Sequence, residues 1–281
     1  MKTIIGDNIF KNFIEIDYKN EAQKQNYIEQ IYQNKLDGFV TRGVLSKEEI
    51  REVLAEASKV KKEDCLPTSN GRLFPYPYAT ISDFETTLDG YINKNEELLR
   101  LPLEKFKNRI QEFFERYSGS IQAKVPKVLK SNRPGAYGTF RFFMPKMGGL
   151  FVHCGYFFQE EHAIYFDTVE EMDKEVQFSF FMMLQYPENG GNLTIYDMLW
   201  PEVNGKDIFE NNEYVLDKNK KRVYLEDVKT FSVRPEPGDI LIFNGGPIWH
   251  RVEEIEGTKP RVSFGGFINF SKDGKELFYW G

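Results

Sequence analysis

Cysteine is nearly missing from this sequence: Cys65 and Cys154 are the only two in 281 residues. Two thiols cannot make a disulfide framework or a four-thiolate zinc site, and their scarcity points to a reducing, cytoplasmic setting. No apolar run approaches the roughly 20 residues of a membrane-spanning helix, so no membrane association is expected. The opening stretch, Met1-Lys2-Thr3-Ile4-Ile5-Gly6-Asp7, soon turns polar and is not expected to act as a signal peptide. Positive charge is in deficit, with 37 Lys and Arg against 43 Asp and Glu, a net charge of −6. The cations are scattered, and without a basic stripe nucleic acid is excluded as a partner. Histidine is scarce too. His153, His162 and His250 are all there are, which leaves few ways to build a histidine-based site.

Aromatic residues are plentiful, with 25 Phe and 15 Tyr, and hydrophobic residues make up 41%. That is ample for a substantial core and argues against disorder. The length fits one large domain or two small ones, and no repeat or low-complexity linker divides it. The expectation is a single domain over 1–281, with 1–130 as mostly helical support and part of a pocket, and 135–270 as a β core. Residues 21–36 carry Tyr27, Ile28, Ile31 and Tyr32 at helical spacing. Phe39-Val40-Thr41-Arg42-Gly43-Val44 is a short strand. Ser46-Lys47-Glu48-Glu49 has the form of a capping box and opens a helix through about Val60. Residues 103–117 repeat the helical pattern, with Phe106, Ile110, Phe113 and Phe114 on one face.

From about Gly135 the texture changes to short Phe-, Val-, Ile- and Tyr-rich runs separated by Gly, Pro, Asn and Asp. Strands are predicted at 137–144, 149–155, 177–186, 192–197, 229–234, 239–243, 248–254 and 261–269. A short helix is predicted within 157–175, from Val169-Glu170-Glu171-Met172-Asp173-Lys174-Glu175. About eight strands with helices buttressing one face suit a mainly β fold with flanking helices (α+β). Its core would be a double-stranded β-helix, the jelly-roll or cupin-like barrel.

Within that β region His153-Cys154-Gly155, His250 and Arg261 form a pattern. A mononuclear non-heme iron site ordinarily presents two histidines and one carboxylate, with the remaining positions open. Here the position two residues after His153, where the acid would stand, is Gly155. Alternation along a strand would turn 153 and 155 to one face and Cys154 to the other. His250 lies 97 residues on, after the turn Pro237-Gly238-Asp239 and the apolar run Ile240-Leu241-Ile242-Phe243, far enough for a barrel to bring the rings together across facing strands. Arg261 follows 11 residues later, where a guanidinium can hold the far carboxylate of a keto diacid bidentately. Ser263, on the same strand face, can add a hydroxyl. Each residue alone has an ordinary reading as packing, turn or surface charge; the combination is far more specific. His162, in Gln159-Glu160-Glu161-His162, leaves open a three-histidine site.

These residues resemble those of the freestanding Fe(II)- and 2-oxoglutarate-dependent halogenases that act on cyanobacterial indole alkaloids. The resemblance runs from Thr41-Arg42-Gly43-Val44 to Gly265-Gly266-Phe267. It is densest at Thr139-Phe140-Arg141, Val152-His153-Cys154-Gly155, Gly190-Gly191-Asn192-Leu193-Thr194-Ile195-Tyr196, and from Pro237 through His250-Arg251-Val252 to the Arg261 strand. It implies iron ligands at His153 and His250, a vacated ligand position at Gly155, a 2-oxoglutarate arginine at Arg261 and an active-site serine at Ser179. The implied cofactors are Fe(II), 2-oxoglutarate, chloride and O2. The implied reaction chlorinates an unactivated C–H carbon of a small molecule not tethered to a carrier protein, releasing succinate and CO2.

Charge gives the glycine its meaning. Two neutral imidazoles and one 2-oxoglutarate dianion leave a ferrous centre near neutral, and a chloride supplies the negative charge an Asp would have added. A hydroxylase built on the same residues is the main alternative, through water in the vacancy or a carboxylate such as Glu160 or Glu161 swinging in. A jelly-roll binding protein without chemistry is the other. The resemblance weakens between about Lys61 and Leu129, where Phe74, Tyr76, Tyr78 and Phe84 are candidates for a substrate pocket or plain core.

Overall fold

Alternating apolar and polar residues start the fold at Phe13-Ile14-Glu15-Ile16-Asp17, whose apolar members are buried. The computed structural model describes residues 2–3, 12–20, 25–77, 88–128, 131–156, 172–173, 175–200, 203–204, 213–217, 219 and 221–281. The strands that build the site are, in chain order, β1 (Phe13–Asp17), β2 (Gly38–Arg42), β3 (Gly71–Phe74) and β4 (Thr139–Phe143). They continue as β5 (Leu150–His153), β6 (Phe178–Gln185), β7 (Leu193–Leu199), β8 (Thr230–Val233), β9 (Ile240–Phe243) and β10 (Ile248–Val252). The last two are β11 (Arg261–Phe270) and β12 (Glu276–Trp280). All eight strands expected after residue 135 are among them.

They divide between two sheets. The larger runs β1-β2-β9-β6-β11-β4-β3, with β12 also paired to β11; the smaller runs β5-β10-β7-β8. Among these strands the pairings are antiparallel except β1 with β2, and β12 also pairs parallel with Gln122–Lys124. Side-chain alternation gives the larger sheet two buried faces. Phe140, Phe180, Ile242 and Phe264 pack on one side into the main core, while Phe143, Phe181, Leu241 and Phe243 pack on the other with Leu193, Ile195 and Val252 of the smaller sheet. Among the described residues no ladder joins the two sheets into one closed barrel.

The first of those faces is covered by helices. Helix α1 spans Tyr27–Tyr32, α2 Lys47–Ser58, α3 Leu88–Arg100 and α4 Glu104–Tyr117. Helix α4 lays Phe106, Ile110, Phe113 and Phe114 on the sheet as its spacing predicts, with Phe106 4.9 Å from Phe264 and Phe114 5.1 Å from Phe180, both edge-on. The Ser46–Glu49 capping box opens α2 with both reciprocal bonds. Among the described residues no helix is long and apolar enough to cross a membrane.

Two expectations need correction and a third goes mostly untested. The helix expected over 21–36 is confined, among the described residues, to Tyr27–Tyr32, because Asn34 adopts φ 54° and turns the chain. The first third is less helical than its composition suggests, since β1 and β3 lie within it beside the expected strand β2. Its helix α3 went unmarked because Asn95, buried to 2% exposure, interrupts the stripe of Tyr91, Ile92 and Leu98 with a polar residue. The helix expected over 169–175 lies mostly outside the described residues; within it Met172 bridges to Ser271 in β fashion.

Candidate active site

β5 and β10 are neighbours in the smaller sheet, and His153 stands directly opposite His250 in their register. The rings therefore meet side by side on adjacent strands, rather than across facing strands as expected from the sequence. Their centroids are 4.3 Å apart and their planes tilt by 58°. Each ring is tied back to its own strand: His153 Nδ1 is 2.7 Å from the Phe151 carbonyl oxygen, and His250 Nδ1 is 2.8 Å from that of Ile248. A carbonyl only accepts, so each Nδ1 carries the proton and donates it. That fixes the tautomer with the acceptor lone pair on Nε2, the arrangement metal-binding histidines use.

Burial disfavours the imidazolium form. It pushes His153 down to about 4, with the nearby Arg141 cation acting in the same direction, and it pushes His250 well below 6.5, reinforced by His153. Both rings are neutral at physiological pH, the state a metal requires. The unfolded chain binds these protons more readily, so apo stability should decline as pH falls from 6.5 towards about 4. The loss from His153 is on the order of 3 kcal/mol at the acid end. Melting temperatures measured across that range should fall more steeply for the wild type than for His153→Asn; parallel curves would contradict the assignment.

Gly155, Ser179, Arg261 and Ser263 line the same cavity as the two histidines. Gly155 arrives there by a different route from the one its spacing suggests. Strand β5 ends at His153, and the chain turns so that Gly155 N–H donates to the Gly245 carbonyl at 2.8 Å and Tyr156 N–H to that of Gly246 at 3.0 Å. The turn, not the pleat, brings 155 to the cavity. Cys154 is fully buried among Val152, Tyr196 and Trp249, in a separate cluster. Ser179, on β6 between Phe243 of β9 and Phe267 of β11, is half-buried.

Arg261 is only 2% exposed, and its hydrogen bonds to the described residues are both with neutral oxygens. Nε donates to the Gly191 carbonyl at 2.9 Å and Nη1 to Ser263 Oγ at 3.0 Å. Gly191 has φ +69° and abuts the arginine; a Cβ there would sit 3.1 Å from Arg261 Cδ. The guanidinium also stacks over Phe181 and Phe143, at 5.3 and 5.9 Å from their centroids.

Sequence reasoning missed a second cation. Arg141, on β4, stands directly opposite Ser263 and lines the same cavity. Among the described residues it makes no hydrogen bond or ion pair. Burial, aided by repulsion between the two guanidiniums, pushes Arg141 down to about 10; burial does the same to Arg261. Both remain charged at neutral pH. The available signal was a lone arginine inside the apolar run Thr139-Phe140-Arg141-Phe142-Phe143, costly to bury without an anion.

No Asp or Glu is among the described residues lining the cavity, and none of the described residues form a three-membered cluster of His, Cys, Asp or Glu able to hold a metal. His162, Glu160 and Glu161 lie outside the described residues, as do Tyr78 and Phe84. Phe74, the last residue of β3 in the larger sheet, is ordinary core on its helix-covered face. The donor set suits a divalent metal with two imidazole ligands and an anionic chelate, because no carboxylate among the described lining residues balances the two arginines.

A family model described as carrier-protein-independent halogenase WelO5 matches residues 10–281. The chain belongs to the carrier-protein-independent halogenase family. Solved structures similar to this halogenase-family chain include an N-substituted L-amino acid dioxygenase from Burkholderia ambifaria AMMD. It matches with a TM-score of 0.55, 14% identity and 89% coverage of both chains. A structure of such a dioxygenase from the same organism in complex with alpha-KG matches with a TM-score of 0.55, 15% identity and 90% coverage of both chains. At that identity the likeness is one of fold. No curated protein sequence matches the chain.

Proposed function

We propose that this halogenase-family chain is an Fe(II)- and 2-oxoglutarate-dependent oxidoreductase that replaces hydrogen by chlorine on an unactivated carbon of a small, untethered molecule, on a jelly-roll scaffold. One observation carries the reading: a cavity that unites two histidines bonded through Nδ1 to their own strands with two arginines and lacks a lining carboxylate among the described residues. When bound with O2, ferrous iron and its keto acid supply oxidative decarboxylation to succinate and CO2 and the power to remove a hydrogen atom. The chain's own part is to hold, orient and exclude water.

His153 and His250 would hold the metal through Nε2. Arg261, aligned by Ser263 and Gly191, would take the far carboxylate of 2-oxoglutarate by a two-pronged hydrogen bond. Arg141, opposite Ser263, would add a second positive charge to the same cavity. Gly155 would leave the remaining protein-side position to chloride. Ser179 would place its hydroxyl in the cavity near Gly155, where it can orient the reacting groups. Phe143, Leu150, Phe181, Leu193 and Phe243 make the rest of the wall apolar, which strengthens each electrostatic contact inside.

The test is succinate production with Fe(II), 2-oxoglutarate and O2, together with the mass of the product formed with and without chloride. A chlorinated product dependent on chloride supports the reading. A hydroxylated product in saturating chloride replaces it with the hydroxylase alternative, and absence of succinate with any substrate leaves a binding protein.

A further inference from the structure

Gly155 is hemmed in. A Cβ built on it would come into hard contact with Gln177 Oε1, 3.2 Å from Gln177 Cδ and 3.1 Å from the Gly246 Cα. Gln177 immediately precedes β6 and is 2% exposed. The segments around it are packed backbone to backbone: a Cβ at Gly246 would strike the Gln177 carbonyl and lie 2.9 Å from the Tyr156 ring. The Tyr156 hydroxyl in turn donates to the Glu175 carbonyl, drawing its ring across the same segment. A side chain beginning at 155 therefore meets the end of the Gln177 carboxamide and the Gly246 backbone at once.

Removing a carboxylate by mutation to glycine would ordinarily leave a hole the size of the lost side chain. Here the space is filled by a neighbour from the segment just before β6. We propose that Gln177 is the specificity-determining partner of Gly155: its carboxamide occupies the volume that a ligand-bearing side chain at 155 would enter, and so reserves the third metal position for an exogenous anion. The inference rests on the metal-site reading above and adds a second residue to it. The identity of the third ligand is set by the pair 155 and 177 together. Gly155→Asp alone places its carboxylate in conflict with the amide, and shortening position 177 relieves that conflict.

Two double-mutant cycles test this. The first uses the metal-free protein: Gly155→Ala, Gln177→Ala and the double variant are compared by thermal unfolding. Gly155→Ala should lower Tm, and the drop should shrink by several degrees, roughly 2–4 °C per kcal/mol recovered, when Gln177 is already alanine. An equal drop in both backgrounds overturns the proposal. The second cycle measures Co(II) affinity in the presence of 2-oxoglutarate for wild type, Gly155→Asp, Gln177→Ala and Gly155→Asp/Gln177→Ala. The gain from adding aspartate should be at least about tenfold larger once Gln177 is shortened, with a Co(II) absorption spectrum altered only in the double variant. An equal gain with Gln177 intact overturns the proposal. Failure of wild type to bind Co(II) would instead sink the metal reading of the histidine pair, and the unfolding cycle would still decide the packing claim.

Discussion

Replacing His250 with alanine is expected to remove metal binding and turnover together. With His153 and His250 as the proposed protein ligands, the loss of one imidazole would leave a single side chain to hold the ion. Outer-shell changes alone cost metal affinity about 10–100-fold, and loss of a ligand should exceed that. The alternative role for His250, a packed core histidine, makes the opposite forecast: stability would suffer and metal affinity would not. The apo variant distinguishes them. Because the buried neutral imidazole opposes folding at low pH, His250→Ala should keep its fold and lose less stability than wild type on acidification, while Fe(II) or Co(II) titration shows no tight site. Partial recovery of binding with added imidazole would strengthen the assignment; wild-type affinity in the variant would refute it.

The second large effect concerns Arg261. A guanidinium that is 2% exposed and, among the described residues, hydrogen-bonded only to the neutral Gly191 carbonyl and Ser263 hydroxyl is an expensive thing to fold around. Its remaining donors call for a partner with two oxygens, and a carboxylate matches that geometry. Arg261→Gln should raise the apparent KM for 2-oxoglutarate by on the order of a hundredfold or more, as breaking a buried charge-paired contact costs about 2–5 kcal/mol. Arg261→Lys should recover only part of this, since an ammonium cannot offer the planar fork. Stability should move the other way, with the apo variant Arg261→Gln gaining or holding Tm because an unbalanced buried charge has gone. Steady-state succinate assays over a range of 2-oxoglutarate concentrations, paired with thermal unfolding, would measure both. An unchanged KM with a reduced Tm would make Arg261 a structural residue.

Much of this site could be read from the residues themselves. The two histidines were conspicuous because only three occur in the chain, and the Pro-Gly-Asp turn before β9 marked where the second would fall. The β core was legible because its strands are short, aromatic and bounded by glycine and asparagine turns. What failed was geometry. A period-2 argument placed Gly155 beside His153 on one strand face, whereas the strand ends at His153 and a turn anchored to Gly245 and Gly246 delivers the glycine. Arg141 was hidden by its company: flanked by phenylalanines, it reads as a strand residue until β11 is seen to bring Ser263 opposite it. Gln177 was invisible for a deeper reason. Its significance lies in a contact with Gly155 across 22 residues of chain, and nothing in local periodicity records which volumes meet across such a distance. The same holds for α3, whose apolar stripe is broken by an asparagine that tertiary packing nonetheless buries.

X-ray absorption at iron addresses the third ligand most directly. Protein loaded anaerobically with Fe(II) and 2-oxoglutarate should show two imidazoles, the keto acid and, with bromide replacing chloride as the heavier reporter, one halide scatterer in the first coordination sphere. Two imidazoles together with a protein carboxylate oxygen, and a spectrum indifferent to halide, would contradict the account.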